Sequence, residues 1–307
     1  MDQEVVDEVE LKFAVQPGQL NYFQWQTTRT GALAVLDNFI ENKLNNFGPY
    51  EDACEADQVF LFHSTLSPYL NIGLLQPQEV LDAVMDNFSS ENSHLPSYEG
   101  FVRQLIGWRE FVRGMYRNYN FKGNHFELKR KMKDAWYTGN TGIPPIDDAI
   151  KKVQNYAYNH HIERLMVLGN AMLLCGLHPD EVNEWFLIVY ADAYEWVELP
   201  NVSGMILFAD GGLLASKPYA ASGSYINKMS NYCKGCHYKV KEKNGPQACP
   251  FNYLYWDFLD RNQEKLGKNP RLGMPYRTLS KMSDEKRQAI QSDGQIFFKA
   301  LENNEEV

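Results

Sequence analysis

The sequence predicts an all-α fold, and three observations lead to this prediction. Apolar residues recur at helical spacing through residues 76–200, where convincing strand patterns are hard to find. Neither a GxGxxG motif nor a GxxxxGK phosphate loop occurs, so a dinucleotide-binding α/β fold has no support. Of the 307 residues, 44% are apolar and 22% charged, which is typical of a globular protein with one or two domains.

Proline starts and apolar stripes predict the individual helices in chain order. They cover residues 77–88, 101–115, 146–157, 162–169 and 179–196. In the second, Trp108 belongs to a stripe that recurs every three or four residues. After Pro200 the pattern breaks into a glycine-rich and aromatic stretch, which predicts an ordered loop with short helices.

A carboxylate falls on the apolar side of the last predicted helix. Helical spacing places Asp192 between Trp185 and Trp196. A buried Asp is costly unless it is paired, and Arg164 on the preceding predicted helix could hold it with two hydrogen bonds. The alternative is an exposed Asp at a bend in the helix.

The charge is unevenly distributed along the chain. Residues 1–100 carry three Lys and Arg against sixteen Asp and Glu, whereas residues 226–281 carry eleven against four. A basic region of this size can follow a phosphate backbone, although a solvated loop face is the alternative. The acidic start lacks the pattern of a leader peptide, and no apolar run is long enough for a membrane span, so a cytoplasmic protein is expected.

Three of the five cysteines are close together in sequence. Cys233, Cys236 and Cys249 form a C-x2-C-x12-C pattern, which in a cytosolic chain more often binds a metal than forms a disulfide. Cys175 or His237 could supply a fourth ligand. Zinc, an iron–sulfur cluster and free buried thiols all remain open on spacing alone.

Five segments, taken in order, resemble the catalytic half of the cryptochrome/photolyase family, and within it the iron–sulfur bacterial branch of (6-4) photolyases and cryptochromes. They are HSTLSPYLNIGLL at 63–75, FVRQLIGWREFVR at 101–113, HHIERLM at 160–166, YADAYEWVELPNVSGM at 190–205 and KPYAASGSYINKMSNYCKGC at 217–236. The resemblance implies a helical FAD-binding catalytic domain of the photolyase type. The chain starts near the linker that precedes this domain, so no α/β antenna domain is expected unless a separate antenna subunit supplies one.

The resemblance also divides the chain. Residues 1–58 would form a linker and the first helices, and residues 59–307 one continuous helical region that binds FAD and a metal cluster. The implied flavin contacts are Ser64, Leu66 and Ser67 at the phosphates, with Arg109 nearby. Arg164 and Asp192 match the family's buried pair over the flavin ring, and Glu198 matches the residue at flavin N5.

His161 is the implied catalytic residue, because a histidine beside the photoproduct can donate a proton near working pH. His160 would assist or orient it. Trp185 is a candidate electron relay to the flavin, and a core-packing role is the alternative. Tyr219 and Tyr225 resemble aromatic residues that face the lesion, with Trp108 as a pocket wall, or these rings simply pack the protein.

The metal centre departs from the branch's pattern. The first cluster cysteine of the branch falls where this sequence has Pro145, which cannot ligate iron. A 4Fe-4S cluster on Cys233, Cys236 and Cys249 would therefore need Cys175 or His237 to complete it. Otherwise the centre is incomplete, lost or a zinc site.

The function implied by the resemblance is light-driven repair of (6-4) photoproducts in ultraviolet-damaged DNA by electron transfer from reduced FAD. A cryptochrome-type photoreceptor, or a flavin module without catalysis, is the alternative. A third interpretation is a zinc-stabilised nucleic-acid-binding module without flavin, which would rest on the cysteines and the basic stretch alone.

Overall fold

The predicted all-α architecture is confirmed in a computed structural model that describes residues 3–14, 18–303 and 305. In this part of the chain the only β structure is a set of isolated bridges. The α-helices are α1 (Gln3–Phe13), α2 (Arg29–Asn42), α3 (Leu44–Tyr50), α4 (Ser67–Asn71), α5 (Pro77–Asp86), α6 (Leu95–Val102), α7 (Arg109–Asn118), α8 (Ala135–Thr138), α9 (Pro144–Tyr156), α10 (Asn170–Cys175), α11 (Pro179–Val189), α12 (Glu195–Leu199), α13 (Gly223–Met229), α14 (Pro250–Arg261), α15 (Gln263–Leu266), α16 (Gly273–Leu279) and α17 (Asp284–Glu302). None of the described helices is both long and apolar enough to cross a bilayer.

Three stretches between these helices are π-helical, namely Arg103–Trp108, Glu163–Gly169 and Pro200–Ile206. Each continues an α-helix without a break in the helical rod. The extra residue per turn shifts the side chains that follow to a new face, which is why such segments are common at functional sites.

Helix α5 follows the rules that predicted it. Pro77 occupies its first turn, and the Gln76 backbone N–H donates to the Glu79 carboxylate at 3.2 Å. Val80 and Val84, which the pattern placed on one face, are fully buried. Local sequence therefore suffices to specify this helix.

The single helix predicted over residues 179–196 is wrong. Helix α11 ends at Val189, Tyr190 is extended, and the Ala191 N–H donates to the Ala157 carbonyl at 2.9 Å. This long-range hydrogen bond redirects the chain over the end of α9, so Asp192 lies in a turn before α12. Periodicity along one segment carries no information about a bond to a distant carbonyl.

The apolar core consists of two clusters. The smaller is built by residues between 32 and 105, around Phe39, Phe47 and Phe101. The larger contains Cys54 and residues from 126 to 301, around Trp136, Trp185 and Phe258. The smaller cluster joins residues from both sides of position 58, where the sequence analysis drew its boundary. A cleft lies where the two clusters meet.

Candidate functional site

The cleft holds two adjoining cavities of about 320 and 220 Å³, which are volumes typical of sites for small molecules and cofactors. Both are lined by Ser64, Ser67, Trp108, Asp192, Val197 and Asn201. Arg164, Glu198 and His161 line the larger cavity, and Leu66 and Arg109 line the smaller one. The structure therefore gathers nine of the predicted site residues around one cleft.

All three π-helical stretches face this cleft. Trp108 ends the first, Arg164 lies in the second, and Asn201 in the third. The Trp108 indole N–H donates to the Asn201 side-chain oxygen at 3.2 Å, which links two of these stretches across the cleft. The irregular helical geometry thus coincides with the residues that line the site.

Arg164 and Asp192 form a two-point ion pair on the cleft wall. Arg164 Nη1 donates to Asp192 Oδ1 at 2.9 Å, and Nη2 donates to Oδ2 at 3.2 Å. The Tyr190 ring lies 4.0 Å from the guanidinium carbon, and Arg164 Nε donates to the Asn159 carbonyl at 3.0 Å. Burial disfavours the charged guanidinium, but Asp192 outweighs it and holds the pKa of Arg164 above its ordinary value.

Helix α4 holds Asp192 from the opposite side. The Ser67 hydroxyl donates to Asp192 Oδ2 at 2.6 Å, and the Asn71 side-chain amide donates to the Asp192 carbonyl at 2.7 Å. The Ser67 proton is therefore used on the carboxylate. Ser64 accepts from the Leu66 N–H at 3.5 Å and keeps its own hydroxyl hydrogen for another acceptor.

Glu198 is a buried carboxyl in the larger cavity. It is 4% exposed, and burial raises its pKa to about 8, although Arg164 opposes the shift. A group with this pKa can hold or release a proton near neutral pH. The sequence predicts a carboxyl at this position, but its protonation depends on the surrounding burial.

Three imidazole rings meet at one end of the larger cavity. His63 lies 3.8 Å from His160 and 5.4 Å from His161 between ring centroids, and the two adjacent histidines stack at 4.7 Å. Burial lowers the pKa of His63 to about 3 and lowers that of His160 strongly. Both rings are therefore neutral at working pH.

The two adjacent histidines occupy different environments. His160 is 1% exposed, and its Nδ1 accepts from the Ile162 N–H at 3.1 Å. The His161 side chain is 46% exposed, and its Nε2 lies 3.2 Å from the Asp52 carboxylate. The carboxylate must accept, so Nε2 carries the hydrogen and Nδ1 is free toward the cleft. His161 is thus the accessible one of the pair, with an orienting partner.

Trp185 lies outside the cleft, one ring behind its wall. It is 1% exposed and donates its indole N–H to the Trp136 carbonyl at 3.0 Å. Its ring lies 5.3 Å from Phe186, which lines the larger cavity, and 5.9 Å from Tyr190. Both a packing role and a relay role are compatible with this position.

Tyr219 and Tyr225 lie in the region that precedes the C-x2-C pair. Tyr219 is 36% exposed, while Tyr225 is half-buried and packs against the larger cluster. The pKa of Tyr225 is raised by burial first, and also by the nearby Asp52, the partner of His161, and by Tyr219. The two tyrosines therefore neighbour the histidine end of the cleft.

Cys175 stands apart from the other predicted metal ligands. It is fully buried at the end of α10, burial raises its pKa to about 12, and its charged neighbours are Arg130 and Arg261. Cys233, Cys236 and Cys249 affect one another electrostatically. The structure thus brings three of the four predicted thiols together, and does not bring Cys175 into that group.

Comparison with known proteins agrees with this geometry. The chain is 47% identical over 304 residues to a (6-4) photolyase of Agrobacterium fabrum, and the match covers 98% of the chain and 60% of that protein. The chain belongs to the cryptochrome/photolyase family. No family model matches it.

The solved structures of photolyases and cryptochromes share the fold. A bacterial class III photolyase from Agrobacterium tumefaciens matches 94% of the chain and 60% of its own length, with a TM-score of 0.53 and 19% identity. A Synechocystis cryptochrome matches 79% of the chain and 51% of its own length, with a TM-score of 0.54 and 20% identity. The chain spans about 60% of the length of its photolyase relative.

Several residues of this photolyase-family site were not found by sequence reasoning. His63 and Asp52 contact the histidine pair, and Asn159 and Tyr190 support Arg164. His63 and Asn159 do adjoin quoted motifs, directly before Ser64 and His160. Asp52 carries no local signal, because it lies in an acidic stretch far from His161 in sequence.

Proposed function

We propose that this chain binds FAD in the cleft and takes part in light-driven repair of (6-4) photoproducts in DNA. The observation that carries the proposal is that the Arg164–Asp192 pair and His161 line one cavity. The (6-4) photolyase name of a relative 47% identical to the chain supports the choice of substrate.

The residues of the cleft fit a flavin. Its walls combine apolar and aromatic groups with a few polar ones, as in cofactor sites generally. Ser64, Leu66 and Arg109 would hold the phosphates, and the Arg164–Asp192 pair would hold the ring. Bound reduced FAD would supply one electron to the photoproduct under light and receive it back after the rearrangement, so the overall reaction would consume no reductant.

Glu198 would manage a proton beside the ring. Its pKa of about 8 keeps most of the carboxyl protonated at neutral pH, so it can donate a hydrogen bond there. An ionised carboxylate in this place would add a second buried negative charge next to Asp192. The protonated form therefore suits an electron-rich ring better.

His161 would deliver a proton to the photoproduct. Asp52 holds Nε2, which leaves Nδ1 toward the cleft. The Asp52 carboxylate favours the protonated imidazolium, and the exposed position of His161 lets the ring regain its proton from water. His160 and His63 are buried and neutral, so they would orient His161 rather than exchange protons.

The DNA would approach from the side of Tyr219 and Tyr225. A photoproduct turned out of the duplex could stack on these rings beside His161. The basic residues of 226–281, including the exposed Lys228 and Lys234, would contact the phosphates. Affinity for damaged DNA should then fall as salt concentration rises.

The test is repair of an oligonucleotide with a single (6-4) photoproduct by the photoreduced protein. The His161→Ala variant should lose repair by at least about 100-fold while FAD stays bound, because general acid catalysis contributes about 10²–10⁴ in rate. His178→Asn is the matched control, because His178 caps α11 away from the cleft and Asn keeps the capping acceptor. Repair at the normal rate by His161→Ala would defeat the proposal.

Two other results would point to the alternatives. A protein that binds FAD but prefers undamaged and damaged DNA equally would be a photoreceptor or flavin module. A protein that takes up no flavin would be a nucleic-acid-binding module.

A further inference from the structure

The three clustered thiols converge on one place from two directions. Cys233 and Cys236 lie in the loop after α13, and Cys249 directly precedes α14. Burial raises the pKa of Cys249 to about 12, and the neighbouring Cys233 and Cys236 contribute. The backbone N–H groups of Phe251 and Asn252 oppose the shift, so they would stabilise a thiolate once a cation is present.

The surroundings of the three thiols are built to hold them. Asn252 accepts from the Gly223 N–H at 3.1 Å and donates to the Val240 and Glu242 carbonyls, which ties α13, α14 and the loop between them together. A Cβ at Gly223 would lie 2.6 Å from the Cys249 sulfur. Only glycine leaves room for that sulfur here.

The first turn of α9 closes the remaining side. Tyr232 and Tyr238 flank the C-x2-C pair, and the Tyr232 hydroxyl donates to Asp148 at 2.5 Å. Tyr238 lies within the electrostatic reach of Cys236, Cys249 and Asp147. Since Asp147 and Asp148 belong to the first turn of α9, that turn faces the thiols.

This turn offers no free ligand. Pro145, buried in it, has neither a donor nor an acceptor in its side chain. Both oxygens of Asp147 already accept hydrogen bonds from Thr141 and Gly142. Asp148 is engaged by Tyr232 and by Lys152 at 3.0 Å.

The thiols are also too far apart for one small ion. The one group of three or more ligand atoms within 4.8 Å among the described residues is His63, His160 and His161. A tetrahedral zinc with bonds of about 2.3 Å would hold its thiolates about 3.8 Å apart. A cluster of several irons is larger and suits the wider spacing.

We propose that Cys233, Cys236 and Cys249 bind a 3Fe-4S cluster through three thiolates, with Pro145 closing the corner that a fourth iron and its ligand would occupy. The cluster departs from the four-thiolate centre that the family resemblance implies. The inference concerns the metal site alone and does not depend on repair.

The test compares the wild-type chain with Pro145→Cys and Pro145→Ala after anaerobic reconstitution with ferrous iron and sulfide. The wild type and Pro145→Ala should hold three irons and four sulfides per chain, and the oxidised form should give the EPR signal of a three-iron cluster. Pro145→Cys should hold four irons and lose that signal on oxidation. Position 145 lies in the first turn of α9, where any of the three residues fits the backbone.

Cys175→Ala keeps the test decisive if Pro145→Cys does not fold. This variant should retain the wild-type EPR signal and iron content, because Cys175 lies in a separate apolar environment. Three outcomes would overturn the proposal: four irons in the wild type, loss of the cluster in Cys175→Ala, or zinc bound without sulfide.

Discussion

Lys152 and Glu163 form a buried ion pair directly behind the histidine pair. Lys152 Nζ lies 2.7 Å from Glu163 Oε1, and 5% and 1% of the two side chains are exposed. The other Glu163 oxygen accepts from the His160 N–H and the Asn159 amide, both at 3.2 Å. This pair therefore fixes the turn that presents His161 and Arg164 to the cleft.

Breaking this pair should destabilise the protein strongly. Lys152→Met leaves the Glu163 carboxylate buried without its cation, which costs about 3–5 kcal/mol in comparable cases. Urea unfolding followed by circular dichroism measures the loss. Lys151→Met, on the exposed side of the same helix, is the control and should change stability little. Equal stabilities of the two variants would show that the pair does not matter.

The Asp192 carboxylate should determine flavin affinity. In Asp192→Asn the Arg164 guanidinium loses its negative partner, so we expect FAD to bind at least about tenfold more weakly, corresponding to about 1.4 kcal/mol. Titration of the apoprotein with FAD, followed by flavin fluorescence, measures the change. Asp180→Asn, with a side chain 83% exposed, should bind FAD like the wild type. Unchanged affinity in Asp192→Asn would contradict the role of the pair.

Glu198 should make the apoprotein less stable as pH rises. Its folded pKa of about 8 exceeds the ordinary 4.5, so the folded state binds more protons than the unfolded state between these values. Within this window each pH unit should remove about 1.4 kcal/mol of unfolding free energy. Glu198→Gln should lose this dependence, whereas Glu195→Gln on the exposed side of α12 should keep it. Urea unfolding at pH 5, 6.5 and 8 decides between them.

Trp185 should affect the photoreduction of FAD more than repair. Its ring reaches the cavity only through Phe186, so Trp185→Phe should slow light-driven reduction of the bound oxidised flavin at least severalfold. Repair by protein that has already been reduced should stay normal. Trp256→Phe is the control, because Trp256 packs beside Lys243 and Tyr255 away from the cleft. Equal photoreduction rates in the two variants would leave Trp185 a packing residue.

The sequence was sufficient for features that depend on local pattern and burial. The start and buried face of α5 followed from Pro77, Val80 and Val84. The Arg164–Asp192 contact followed from the cost of an unpaired carboxylate among apolar residues. In both cases the energetic requirement is strong and its partner lies on a neighbouring predicted element.

Features that depend on distant contacts were not predictable in this way. The turn that carries Asp192 arises from the Ala191–Ala157 hydrogen bond, and the pattern instead predicted a continuous helix. Asp52 contacts His161 across more than a hundred residues of sequence, with no periodicity to mark it. The pKa of Glu198 likewise depends on burial by several elements together.

The most direct test of the account is the visible absorption spectrum of the purified protein with quantified FAD. The account predicts a flavin spectrum with one FAD per chain, diminished in Asp192→Asn. A colourless protein that remains free of flavin after incubation with FAD would contradict it.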